Sequence, residues 1–361
     1  MKSNSISNAD DSECYSNCGD LGKYIKYPVK EIPLLKEVEK KYHVRIPRYY
    51  LSLIQNMNDP GDPVRKQCVP SIEELRDEDC DNIDPLGEGE TSPVSCLVHR
   101  YPDRVLLLVT GVCFMYCRHC TRKRLWHSKH AEPTEKDFDK SFEYIRKNKN
   151  IREIIISGGD PLVLPTEKLD YIISRASKIK TIEALRIGTR APVVNPSRID
   201  DSLCAMLEKY RNIWINVQFN HPNEITKESI EACRKLQKCG IPLNNQAVLL
   251  KGINDNLKTM RELCRKLHSN RIRPYYLFLC DPVVGASHFR TSIYKGIEII
   301  EGLRGHIGGM CVPTFVVDGI EGKGKIPISP NYLVSMTDNE VILRNYEFET
   351  IRYPNPGPSS K

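Results

Sequence analysis

Cys113-Phe-Met-Tyr-Cys117-Arg-His-Cys120 follows the apolar run Val105–Val109 and leads into Arg122, Lys123 and Arg124. Three cysteines at C-x3-C-x2-C spacing sit close enough in the chain to bind one metal centre. Their number leaves any closed site one ligand short. A structural zinc takes four protein ligands, and a four-iron cluster has four irons to ligate. Three thiolates on a [4Fe–4S] cluster leave one iron open to a ligand that is not protein. A zinc site completed by His119 or by a distant cysteine is the competing reading.

The spacing is similar to that of radical S-adenosylmethionine (SAM) enzymes. In those, the amino and carboxylate groups of SAM chelate the open iron, and an electron from the cluster cleaves a C–S bond.

The surrounding chain sets the frame. With 361 residues it can hold one large α/β domain or two ordinary ones. A hydrophobic content of 40% and a charged content of 27% are globular values. No apolar run reaches the roughly 18 residues of a membrane-spanning helix. The N-terminal MKSNSISNADDSEC has no apolar core and no cleavage pattern, so a secretory signal is not expected. Fourteen cysteines in such a chain point to a reducing, cytoplasmic setting. The net charge of +7 is scattered and suits anionic small ligands. There is no basic stripe with interleaved aromatics, so neither nucleic acid nor membrane is expected as a partner.

Residues 1–21 read as a disordered polar tail carrying Cys14 and Cys18. Residues 22–99 read as a helical N-terminal region, with helices over Pro33–Tyr42 and Pro47–Asn56 and proline-broken turns beyond. From about residue 104 short apolar runs alternate with helical patterns. The strands read are Arg104–Thr110, Glu153–Ser157, Ala184–Gly188, Ile213–Phe219, Leu243–Leu250 and Pro274–Leu279. Between and after them come helices near Glu135–Asn148, Thr166–Ser177, Asp200–Tyr210, Ile225–Cys239, Lys258–Leu267 and Ser292–Leu303. Such alternation implies a parallel sheet with crossover helices, either a partial (β/α)6 barrel or a doubly wound sheet. In a barrel, function gathers at the C-terminal ends of strands, where the cysteine loop falls.

The same ends carry the other polar motifs. Ser157-Gly158-Gly159-Asp160 is either a ligand-hugging turn or an ordinary βα turn. Arg190 is either a carboxylate partner or a solvated loop charge. Gln218 opens the polar cluster Gln218–Glu224, whose His221 reads as structural. Asn245-Gln246 places amides in an apolar strand, where they must find hydrogen bonds. Asp281 and Asp318 sit at strand termini, the default place for a cap. Gly319-Ile-Glu-Gly-Lys-Gly324-Lys325 nearly fits a phosphate loop, but residue 326 is Ile and Pro327 forbids the following helix. Lys325 is either a solvated loop lysine or a Schiff-base nucleophile.

Taken in order, several longer motifs resemble the lysine 2,3-aminomutase family. They are His99–Arg104, Cys113–Arg122, Ser157–Asp160, Phe219–Thr226, His288–Thr291, Glu301–His306 and Gly324-Lys325-Ile-Pro. The resemblance runs from about residue 30 to about residue 350. It implies a radical SAM partial (β/α)6 barrel over residues 100–310 and a C-terminal segment, 311–361, carrying a lysine for pyridoxal 5′-phosphate (PLP). It implies that Cys113, Cys117 and Cys120 hold a [4Fe–4S] cluster. Ser157, Gly158, Gly159, Asp160, Arg190 and Gln218 would surround SAM. Lys325 would carry PLP, with Arg100, Tyr101, Arg104 and Gln246 around it. Arg122 would meet the substrate α-carboxylate, and Asp281 with Asp318 the distal ammonium. The implied reaction moves the α-amino group of L-lysine to the β-carbon through a 5′-deoxyadenosyl radical. Arginine is the alternative substrate, since a guanidinium also suits two carboxylates. The implied partners are an amino acid substrate, a flavodoxin or ferredoxin as reductant, and further copies of the chain in a homo-oligomer.

Three positions depart from the family pattern. Phe278 stands where a tyrosine is frequent and Gln218 where a histidine is usual. Asn256 replaces an upstream zinc cysteine, and no cysteine follows Tyr346. No structural zinc is therefore expected.

Overall fold

The protein is described by a computed structural model covering residues 14–127 and 132–357. A two-residue strand β1 (Cys14–Tyr15) pairs antiparallel with β2 (Ile46–Pro47). The expected disorder does not hold for residues 14–21. Asn17 caps a helical turn, Cys18–Leu21, and Tyr15 and Leu21 are buried in the main core. Two apolar anchors are enough to dock a polar segment. Residues 1–13 of that expectation lie outside the described residues. A helix over Ile32–Lys41 buries Leu35 and Val38. Only a short helix, Arg48–Ser52, forms where Pro47–Asn56 was expected.

A nine-stranded sheet organises the rest. Its strands are β3 (Leu97–Tyr101), β4 (Arg104–Thr110), β5 (Glu153–Gly158), β6 (Ala184–Gly188), β7 (Ile213–Val217), β8 (Leu243–Leu249), β9 (Arg273–Leu279), β10 (Thr314–Gly319) and β11 (Gly324–Pro327). They lie side by side in chain order. β4 to β10 are parallel, and β3 and β11 are antiparallel additions at the two edges. The division at residue 99 falls inside β3, which turns into β4 through Pro102-Asp103. The segment from 311 supplies β10 and β11 of the main sheet.

Helices over Glu135–Lys147, Thr166–Ser177, Asp201–Leu207, Lys227–Lys238, Leu257–Ser269 and Ile293–Leu303 cover the outer face. Five start on side-chain caps, at Thr134, Asp200, Thr226, Asn256 and Ser292. Each such cap satisfies backbone N–H groups that the helix leaves open. Asn256, the position read as a lost zinc ligand, accepts from the Thr259 N–H at 2.9 Å.

The strands bury one face fully. Val105, Leu107, Val109, Ile154, Ile156, Leu185 and Ile187 sit in the core beneath the helices. Alternate residues, among them Leu106, Ile155, Ser157, Arg186 and Gly188, face a central cavity. This alternation follows from the two-residue period of a strand.

The two edges meet without a ladder: the Lys325 backbone N–H donates to the Tyr101 hydroxyl at 2.8 Å. A separate antiparallel sheet, β12 (Leu333–Met336), β13 (Glu340–Arg344) and β14 (Thr350–Pro354), ends the described chain. Arg344 holds it to Glu301 on the last crossover helix. Among the described residues no helix is long and apolar enough to cross a membrane.

Candidate active site

The cavity has a volume of about 900 Å³. Every residue named above as a cluster, SAM, PLP or substrate position lines it. They come from the loops after β4, β5, β6, β7 and β9, from the interiors of β3, β4 and β8, and from the β10–β11 hairpin.

The cysteine loop is pinned from behind. Arg118, between Cys117 and Cys120, is fully buried and makes three hydrogen bonds to Glu74, at 2.6 to 3.1 Å. It also donates to the His43 carbonyl at 2.8 Å. Lys123 Nζ reaches the same Glu74 at 2.9 Å and the Gly285 carbonyl at 2.6 Å. Burial would raise the Glu74 carboxyl, but Arg118 and Lys123 outweigh it and hold it at about 2. Lys123 is lowered to about 8, because burial exceeds the attraction of Glu74.

The thiols line one wall rather than converging on a point. Among the described residues no three His, Cys, Asp or Glu side chains gather closely enough for a single metal ion. A polynuclear cluster takes its thiolates at separate corners. Burial pushes Cys113 well up and Cys120 to about 11, so ionised thiols here call for a compensating positive centre. Two donors are already aimed at sulfur: Arg190 Nη1 at 2.8 Å from Cys117 Sγ, and the Arg122 N–H at 3.3 Å from Cys120 Sγ.

The Ser157–Asp160 turn packs against the same loop. A Cβ on Gly158, whose φ is +127°, would lie 2.2 Å from the Thr110 carbonyl oxygen; one on Gly159 would lie 2.2 Å from that of Val112. The paired glycines are thus required where β5 meets the segment entering the cysteines. The Asp160 carboxylate is committed internally. It accepts from Leu162 N at 3.0 Å, Thr189 Oγ1 at 2.7 Å and Arg190 N at 2.8 Å.

Arg190 is not a solvated charge. It is buried and bonds Gln67 and Glu224, each at 2.6 Å, and Tyr50 at 3.2 Å. Glu224 also accepts from the backbone N–H groups of Asn220 and His221. Gln67, Tyr50 and Glu224 escaped the motif reading. Glu224 lay inside a quoted motif, whereas Gln67 and Tyr50 carry no sequence signal. His221 is structural, accepting from Asn223 N at 3.2 Å. Gln218 Nε2 lies 3.2 Å from His119 Nε2, and burial keeps that imidazole neutral by lowering its pKa well below the usual value. Asn245 clamps Phe219 through both its amide atoms, at 2.7 and 3.1 Å.

At the opposite wall, Asp318 and Lys325 are directly paired across β10 and β11. Lys325 Nζ lies 2.8 Å and 3.2 Å from the Asp318 oxygens, and 5.0 Å from the centre of the Phe278 ring. Lys325 is therefore a strand residue, which overturns the solvated-loop reading. Asp281, half-buried, lines the same cavity. Burial, then the charge of Asp318, raises its carboxyl to about 6. Arg104 stacks on Tyr101 at 3.7 Å. Arg100 donates to the Leu86 carbonyl and leaves its buried Nε without a hydrogen-bond partner.

The comparisons with known proteins agree with this geometry. Residues 107–264 match the radical SAM superfamily, and residues 300–360 match the lysine-2,3-aminomutase C-terminal family. The L-lysine 2,3-aminomutase of Clostridium subterminale is 52% identical over 338 residues, covering 93% of this chain and 81% of that protein. The chain belongs to the lysine 2,3-aminomutase family. The L-lysine 2,3-aminomutase of Methanococcus maripaludis is 50% identical, over 98% of this chain and 80% of its own length. The glutamate 2,3-aminomutase of Clostridioides difficile is 44% identical, over 92% of this chain and 78% of its own length. The protein is thus a radical SAM aminomutase, an isomerase, and its superfamily implies a [4Fe–4S] cluster and SAM. The three-thiol wall, with its two aimed donors, fits such a cluster.

Proposed function

We propose that this aminomutase acts on L-lysine, converts it to β-lysine, and uses PLP held by Lys325. The observation that carries the substrate assignment is that two carboxylates, Asp281 and Asp318, line the same cavity. Two carboxylates lining one cavity repel each other unless cations relieve them; Asp281 is raised first by burial and second by the charge of Asp318, and Asp318 is itself met by Lys325. A lysine side-chain ammonium relieves the repulsion; a glutamate side chain adds to it.

PLP would supply the π-bond through which nitrogen passes from Cα to Cβ, and SAM on the cluster would supply hydrogen abstraction and return. The chain's own residues do the positioning. Cys113, Cys117 and Cys120 hold the cluster at one wall. The Ser157–Asp160 turn, Arg190 and Gln218 shape the SAM side beside it. Arg100, Tyr101 and Arg104 receive the PLP phosphate, which the unpartnered Arg100 Nε supports. Gln246 faces the same space from β8. Arg122 binds the substrate carboxylate, while Asp281 and Asp318 hold its far end. A substrate fixed at both ends presents its β-carbon in one place, which a radical transfer requires. We also propose that the chain works as a cytoplasmic homo-oligomer reduced by a flavodoxin or ferredoxin.

The test is an anaerobic assay with SAM and dithionite across lysine, arginine, ornithine and glutamate. Lysine is expected to give a β-amino acid. No product from any substrate refutes the aminomutase assignment, and conversion of glutamate but not lysine refutes the role of the aspartate pair.

A further inference from the structure

The loop from Asp84 to Thr91 touches three parts of the cavity wall. The Leu86 carbonyl accepts from Arg100, and the Pro85 carbonyl accepts from Glu321 N at 3.1 Å, in the turn that leads to Lys325. Glu88 follows them in the same loop, with a side chain only 3% exposed. Its two oxygens each accept from Arg122 Nε at 3.0 Å, and Oε1 also accepts from Arg122 Nη2 at 2.7 Å. Oε2 accepts from Arg124 Nη2 at 2.7 Å. Arg124 has Asp84 as a second partner at 3.2 Å. Among the described residues, no other acceptor bonds the Arg122 guanidinium.

We propose that Glu88 is a positioning residue for substrate binding: it grips the Nε–Nη2 edge of Arg122 and turns the Nη1 side toward the substrate α-carboxylate. This rests on the assignment of Arg122 made above. A guanidinium carries five N–H donors in a rigid plane, so fixing one edge fixes where the other points. A long arginine side chain that is already ordered loses less freedom when a ligand arrives. Burial acts to raise the Glu88 carboxyl, but Arg122 and Arg124 outweigh it and hold it at about 2. Glu88 therefore stays ionised through the neutral range. The segment before β3 thereby gains a role that its sequence did not suggest.

A purely structural Glu88 would also tie the loop down, so the test must separate aim from anchoring. Cadaverine is lysine without its carboxylate. Binding of L-lysine and of cadaverine to the cluster- and PLP-loaded enzyme is measured by anaerobic calorimetry without reductant. Glu88→Gln is expected to weaken lysine about tenfold or more, the scale of a charge-assisted bidentate contact, and cadaverine less than about twofold. Arg122→Met is expected to give the same selective loss, and Glu88→Gln added to it to cost lysine nothing further. Arg122→Lys keeps the charge without the fork and is expected to lose lysine selectively as well; this variant carries the test if Glu88→Gln does not fold.

If Arg122→Met weakens both ligands alike or neither, the assignment of Arg122 fails. If Arg122→Met is selective while Glu88→Gln weakens both ligands equally, or neither, the positioning role is overturned and the carboxylate site stands. Wild-type lysine binding by Arg122→Lys likewise overturns it.

Discussion

Asp318→Asn removes one of the two carboxylates at the far end of the cavity while keeping the shape of the side chain. A hydrogen bond to a charged group contributes about 1.5–3 kcal/mol. Lysine affinity should therefore fall roughly 10- to 150-fold. Norleucine, which has the same backbone and no side-chain ammonium, should change little. The variant also acts on its neighbour. Asp281 is raised to about 6, first by burial and second by the charge of Asp318. A protonated Asp281 must lose its proton before it can take an ammonium. In the wild type, lysine affinity should then fall about tenfold for each pH unit below 6, each unit being worth ~1.4 kcal/mol. Removing Asp318 takes away one upward cause and leaves burial, so the acid limb should move to lower pH without vanishing. Calorimetric titration of the loaded enzyme without reductant, from about pH 5 to about pH 8, reads both effects. Equal losses for lysine and norleucine, or an acid limb that moves upward, would refute the dicarboxylate reasoning.

Glu74→Gln should leave buried Arg118 and Lys123 short of their anion and cost about 3–5 kcal/mol in chemical denaturation. The same carboxyl sits at about 2, below its ordinary value, despite burial, because Arg118 and Lys123 hold it down. Its stabilisation is thus complete above the ordinary carboxylate range and lost as pH falls toward 2, and acid unfolding of Glu74→Gln should lack that component. Lys325→Ala should abolish the visible absorbance of lysine-bound PLP while leaving iron content and cluster absorbance intact; loss of both together would contradict separate seats. Gly159→Ala drives a methyl to 2.2 Å from a backbone oxygen of the segment entering the cysteine loop. It should cost about 1–3 kcal/mol and lower the iron bound per chain, which iron analysis after anaerobic reconstitution measures.

The sequence made the parallel strands legible because their outer faces are near-continuously apolar and most of the following helices begin on side-chain caps. Arg104–Thr110, Ala184–Gly188 and Thr166–Ser177 have the bounds their patterns suggest. The edges were not legible. β3, Leu97–Tyr101, carries His99 and Arg100 and needs only a two-residue turn to reach its partner. β11 is flanked by glycine and proline, the residues of a loop. Both strands exist because a neighbouring strand offers a ladder, which is tertiary information. The site divides in the same way. Residues within motifs could be named from the chain, but the partners that aim them could not. Glu88, Gln67 and Tyr50 come from the N-terminal region, outside any motif, and they reach Arg122 and Arg190 only through the fold.

The seam between β3 and β11 bears on how the protein assembles. Lys325 and Tyr101 lie 224 positions apart, and one backbone-to-hydroxyl bond joins them instead of a ladder. Contacts of such separation close late in folding, after their loop entropy has been overcome. Amides of β11 should accordingly exchange with solvent sooner than those of β6 or β7, which have a strand on either side. Any molecule gripped by Arg100 on one edge and Lys325 on the other would act as a reversible cross-link, so slowed exchange at this seam would report its arrival independently of turnover.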